Sequence, residues 1–123
     1  MFTYSLLPHN GPWGAPVERQ AYFLNMPVYA LKGAAGHDFS FAGLSHENVI
    51  LETVKAAEDG RGMILRMYES HNTTTNAVLR LHAAPKSVYE CDLMENDETP
   101  VALRDREIAF TIKPYEIKTF RIV

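Results

Sequence analysis

Acidic side chains, five histidines and one thiol are the groups in this sequence that could carry covalent or acid–base chemistry. Cleavage of a glycosidic bond needs two carboxyl groups about 5 to 10 Å apart. Glu69, Glu90 and Asp92 lie on runs that read as strands, where two of them could approach. The plainer reading is that fifteen acidic residues on a small sheet surface produce such neighbours by chance, as solvated strand faces. His9, His37, His46, His71 and His82 are spread through the chain without an H-x-H, an H-E-x-x-H or a second cysteine. A metal site within the chain would have to be assembled entirely by long-range folding, and none is expected. Ser70 and His71 are adjacent, so on a strand they point to opposite faces and are poorly arranged as nucleophile and base. Cys91 sits between Glu90 and Asp92, whose charges disfavour a thiolate, and it reads as a small core residue. Asn72-Thr73-Thr74 matches a glycosylation acceptor pattern but reads most simply as a turn. No catalytic motif emerges. The best-equipped stretch is the loop His9-Asn10-Gly11-Pro12-Trp13-Gly14, which combines an imidazole, an amide and an indole with turn-forming residues.

The elements that must position these groups are mostly strands. Residues 48–55 (NVILETVK) are rich in Val, Ile, Leu and Thr, and Glu58-Asp59-Gly60-Arg61-Gly62 supplies a hairpin turn before Met63. Residues 63–70 alternate, with Met63, Leu65 and Met67 on one face and Ile64, Arg66 and Tyr68 on the other. Residues 76–82 turn Ala77, Leu79 and Leu81 inward. Further strands are expected at 86–94, in a short piece at 101–103, at 107–113 with Ile108, Phe110 and Ile112 on one face, and at 116–122. Strands about ten residues apart, divided by turn chemistry, indicate an all-β antiparallel β-sandwich of roughly six to eight strands. The core is expected to include Leu51, Leu65, Leu79, Leu81, Ile108, Phe110, Ile112 and Phe120. The first third differs. Residues 2–7 (FTYSLL) read as a strand and 38–44 as an extended run. Between them Pro16 opens one short N-terminal helix, with Val17, Ala21 and Leu24 recurring at i, i+4 and i+7 and Asn25 and Pro27 ending it. Residues 28–37 carry two glycines and no period, as a loop would.

The chain has 123 residues, 46% hydrophobic and 22% charged, enough for one domain with a real core. The net charge of −3, with basic residues scattered singly, argues against nucleic acid as a partner. A single cysteine cannot form an internal disulfide. No apolar run approaches the roughly 18 residues of a membrane span, and the first basic residue is Arg19, so neither a membrane partner nor a signal peptide is expected. These features together lead to the expectation of a cytoplasmic protein. Strands that begin at residue 2 and run to the last residues lead to the further expectation that the chain is a piece of a longer polypeptide.

Four blocks then carry a resemblance. VILETVKAAE from Val49, ILRMYES from Ile64, VYECDLME from Val88 and PYEIKTF from Pro114 resemble the C-terminal end of bacterial-type α-mannosidases of glycoside hydrolase family thirty-eight. FTYSLLPH from Phe2 and QAYFLNMP from Gln20 are similar to the segment that precedes those blocks, so the resemblance covers nearly the whole chain. It implies a β-rich C-terminal domain of a long, retaining, metal-dependent enzyme that hydrolyses terminal α-mannosides. In that family an N-terminal α/β barrel carries the zinc ligands and the nucleophile. No stretch here matches that part, so no catalytic residue and no metal ligand is carried over. The implied partners are the catalytic and middle domains of the same enzyme and its α-mannoside substrate; the implied cofactor, zinc or another divalent metal, belongs to the intact enzyme.

Two functions remain open. The chain is either a supporting C-terminal sandwich, inactive alone, or an independent carbohydrate-binding or protein-interaction module in which Trp13, Tyr22, Tyr29, Tyr68 and Tyr89 stack on sugars. An apolar patch left uncovered on a sheet face would favour the first. Aromatics lining a shallow polar groove would favour the second. Under the first reading His9, Asn10 and Trp13 are the candidate substrate-binding residues, shaping an outer sugar site; under the plainer one Trp13 covers the helix and His9 caps a turn.

Overall fold

The computed structural model describes residues 4–26, 28–34, 36–96 and 98–123. Two compact units divide the chain, Met1–Asp38 and Phe39–Val123.

Among the described residues of the first unit the one regular element is helix α1 (Ala15–Asn25). Pro16 stands in its first turn, where a missing N–H matters least. The carbonyl of Gly14 accepts from the N–H groups of Val17 (2.8 Å) and Glu18 (3.1 Å). At the other end Asn25 Nδ2 donates to the Ala21 carbonyl at 2.8 Å. Pro27, expected to end the helix, lies outside the described residues. No residue of α1 is buried.

In the second unit the described residues form nine strands, paired antiparallel in two sheets. The four-stranded sheet has the order β1 (Ala42–Leu44), β4 (Thr75–Leu81), β8 (Glu107–Ile112), β7 (Leu103–Arg104). The five-stranded sheet has the order β2 (Val49–Ala56), β3 (Met63–Glu69), β9 (Ile117–Ile122), β5 (Val88–Cys91), β6 (Thr99–Pro100). Period-two alternation aims Ala77, Leu79 and Leu81 of one sheet at Leu65, Met67 and Phe120 of the other, and all six are buried. Between the sheets the ring of half-buried Phe110 meets that of buried Phe120 edge to face, with centroids 5.2 Å apart. The fold is therefore the expected antiparallel sandwich with one short helix.

Several boundaries differ from the sequence reading. Phe2 and Thr3 of the expected first strand lie outside the described residues, and residues 4–7 form no strand. The extended run at 38–44 contracts to β1, and 86–94 to β5. The piece expected at 101–103 is two pieces in different sheets, because Val101 is where the chain crosses from β6 to β7; this raises the count above six to eight. Leu51 and Phe110, expected in the core, are half-buried and pack against it; the other six expected core residues are buried.

Candidate functional site

The three carboxylates singled out for chemistry are each committed to structure. Glu69, at the end of β3, is 1% exposed. Its Oε1 accepts from Asn48 Nδ2 at 2.9 Å and from the His71 N–H at 2.8 Å, while Oε2 accepts from the Tyr115 N–H at 3.0 Å. Burial pushes its pKa up, but hydrogen bonds from Asn48 and from the backbone of Tyr115, His71 and Thr73 prevail and hold it at about 2. One ionised carboxylate thus ties three loops at one end of the sandwich. Glu90 takes an ion pair from Lys118. Asp92 Oδ1 accepts from the N–H groups of Met94 and Asn96, both at 2.8 Å, closing the turn after β5. None of the three is poised as an acid or nucleophile. Ser70 Oγ donates to the Asn48 carbonyl at 3.2 Å. Asn72 occupies the turn between β3 and β4 with φ of 57°. Cys91 is buried, and burial first, then the negative charges of Glu95, Asp92 and Glu98, raise its pKa against the pull of Arg121.

Sequence reasoning missed a second polar cluster, on the outer side of the five-stranded sheet. Arg121 of β9 is 2% exposed and lies against Asp59, Arg61, Glu95 and Glu98. Its Nη1 donates to Asp59 Oδ1 (2.7 Å) and to the Arg61 carbonyl (2.9 Å), and its Nη2 to the Glu95 carbonyl (3.0 Å). Nε lies 3.0 Å from Glu98 Oε1 but out of line for a hydrogen bond, so that contact is coulombic. Beside it Glu95, buried and at φ of 66°, accepts from Lys55 Nζ (2.8 Å) and the Glu58 N–H (2.9 Å). Hydrogen bonds from Lys55 and the Glu58 backbone hold the Glu95 carboxyl below its ordinary range. Asp59 is held low by the Arg61 backbone and by Arg121. The one available signal was an arginine between Phe120 and Ile122 on a strand with a buried face.

His9, Asn10 and Trp13 lie on one loop ahead of α1, all exposed, with Gly11 turning the backbone at φ of 78°. Trp13 is 62% exposed. Such a loop can stack on and hydrogen-bond to a ligand, but it holds no pair of groups for bond cleavage. The zinc implied by the resemblance does not fit the residues here. All five histidines are exposed, the buried carboxylates already face N–H, ammonium or guanidinium donors, and among the described residues no three His, Cys, Asp or Glu side chains are placed to share a metal. An open depression of about 390 Å³ on the four-stranded sheet is lined by Gly43, Leu44, Ser45, Val78, Arg80 and Glu107, with Arg80 paired to Glu107. No aromatic side chain lines it. Among the described residues no helix is long and apolar enough to cross a membrane.

Comparison with known proteins adds two findings. Residues 48–120 match the family described as Glycosyl hydrolases family 38 C-terminal beta sandwich domain. Over 99% of its length the chain is similar to alpha-mannosidase 2C1 of Homo sapiens, at 34% identity, and to alpha-mannosidase G of Dictyostelium discoideum, at 36%. It spans only 13% and 12% of the lengths of those two relatives.

Proposed function

The chain belongs to the family of glycosyl hydrolases family 38 C-terminal β-sandwich domains, and from that membership we propose that it is the non-catalytic C-terminal sandwich of a retaining α-mannosidase. The observation that carries this reading is the match of the sandwich residues to a C-terminal domain, in a chain that spans about an eighth of its α-mannosidase relatives. The intact enzyme hydrolyses terminal α-mannosides with a zinc or other divalent cation held outside this chain. The catalytic and middle domains of that enzyme are its partners. The commitment of Glu69, Glu90 and Asp92 to loops and ion pairs supports the division of labour. A single thiol, buried and with its pKa raised by burial, suits a cytoplasmic enzyme. An independent sugar-binding module is less well supported, since the depression on the four-stranded sheet lacks an aromatic platform.

The isolated chain, with or without added zinc, is expected to release no aryl alcohol from an aryl α-mannoside above background. Hydrolysis well above background and lost on chelation would overturn the proposal. Within the intact enzyme the loop of His9, Asn10 and Trp13 shapes an outer sugar site without touching the bond cleaved. Changing His9 and Trp13 to Ala there should raise KM for longer mannosides and leave kcat on a small aryl substrate nearly unchanged. Unchanged kinetics on both substrates, with stability alone reduced, would assign the loop a structural role.

A further inference from the structure

The family's sandwich spans residues 48–120, whereas the similarity to the α-mannosidase relatives runs over 99% of the chain. The similarity therefore extends through the residues ahead of the sandwich. Those residues do not have a linker's composition. Tyr4, Leu6, Phe23, Tyr29 and Leu31 are between 54% and 95% exposed, on a stretch too apolar for a solvated spacer. Helix α1 buries none of its residues, although an isolated helix of 11 residues is marginal in water and most helices owe their stability to a packed face. Residues 4–7 have a strand's composition but no ladder, and a strand is stable only when another strand satisfies its backbone.

We propose that residues 4–7, helix α1 and residues 28–31 dock into the part of the intact α-mannosidase that precedes this chain. The four residues 4–7 add as a strand to a sheet edge there. The α1 surface formed by Ala21, Tyr22 and Met26 with the stems of Glu18 and Asn25, which line a depression of about 240 Å³, receives an apolar side chain. The occupant follows from length. With this chain matching 13% and 12% of them, these relatives are about eight times as long, and the family is C-terminal, so most of the covering surface lies on the N-terminal side. The proposal rests on reading the chain as the C-terminal part of such an enzyme, and it assigns the docking surface to this segment.

Hydrogen exchange on the isolated chain and on the intact enzyme tests it. In the isolated chain the amides of α1 should exchange quickly while β3, β4 and β9 are protected. In the intact enzyme exchange at α1 should slow by on the order of 100-fold. Met26→Asp in the intact enzyme should remove most of that slowing and leave β3 and β4 protected as before. Equal slowing in both proteins would overturn the proposal, pointing to cover by the chain's own sandwich or, if it fades on dilution, by a second copy. Equally fast exchange in both would overturn it too. Activity on an aryl α-mannoside, measured in parallel, separates the two readings. An active enzyme with fast α1 amides retains the function and loses the docking. An inactive one with slow α1 amides does the reverse.

Discussion

A carboxylate that is 1% exposed persists in a sandwich only where donors replace its water, and Glu69 draws them from Asn48, His71 and Tyr115. Tyr115 is itself at φ of 57°, an unfavourable conformation for a tyrosine, so the carboxylate also holds a strained turn in place. Replacing Glu69 by Ala leaves these donors unmatched and should cost about 2 to 4 kcal/mol in urea denaturation. Its ionisation fixes the direction of the pH dependence. The folded pKa lies below the ordinary carboxylate value, so the unfolded chain binds the proton more readily. The contribution is fully present above pH about 5 and is lost as pH falls toward about 2. Stability curves of the parent chain should therefore steepen over that range, and Glu69→Gln should flatten part of the slope; an unaltered slope would mean the carboxyl is not held ionised. The burial was legible in part. The alternation that turns Met63, Leu65 and Met67 inward continues to Glu69, but treating acidic residues as solvated overrode it. The donors were not legible, since Tyr115 is brought to Glu69 only by the pairing of β3 with β9.

At the level of elements, the β2–β3 hairpin sets two glycines, one on each side of Arg61, in its turn with different tasks. Gly60 and Gly62 both have positive φ, 76° and 83°. A Cβ on Gly60 would meet nothing within 4 Å, whereas one on Gly62 would stand 2.1 Å from the Ile122 carbonyl oxygen of β9. Gly60→Ala should thus cost only the left-handed backbone penalty, roughly 1 to 2 kcal/mol. Gly62→Ala must also move a strand and should cost about 3 kcal/mol or more. Chemical denaturation of the two variants checks the order, and equal losses would show that the close approach relaxes freely. The turn itself could be read from Glu58-Asp59-Gly60-Arg61-Gly62, as could the strands at 49–56, 63–69 and 75–81, because both signals are local. The division of 99–104 between two sheets and the approach of Ile122 to Gly62 depend on partners distant in sequence, and no local pattern records them; residues 4–7 have a strand's composition but form no ladder.

At the scale of the molecule, the buried apolar cluster found among the described residues comes from residues 49–122, so the sandwich supplies its own core. A chain beginning at Phe39 should unfold in one cooperative transition, with far-UV dichroism and the fluorescence of Tyr68, Tyr89 and Tyr115 changing together. Separate transitions would show that the first unit contributes to the core. Strand order adds a constraint on how this core comes into being. In the five-stranded sheet β9, the last strand in chain order, lies between β3 and β5. Before β9 leaves the ribosome, β2–β3 and β5–β6 are two separate hairpins, each with a bare edge, and no earlier strand joins them. Completion of this sheet therefore waits for β9 to be translated, and the edges of β3 and β5 stay unpaired until then. A premature stop ahead of Ile117 would remove the central strand and not a dispensable margin, leaving two sticky edges for the quality-control machinery to find.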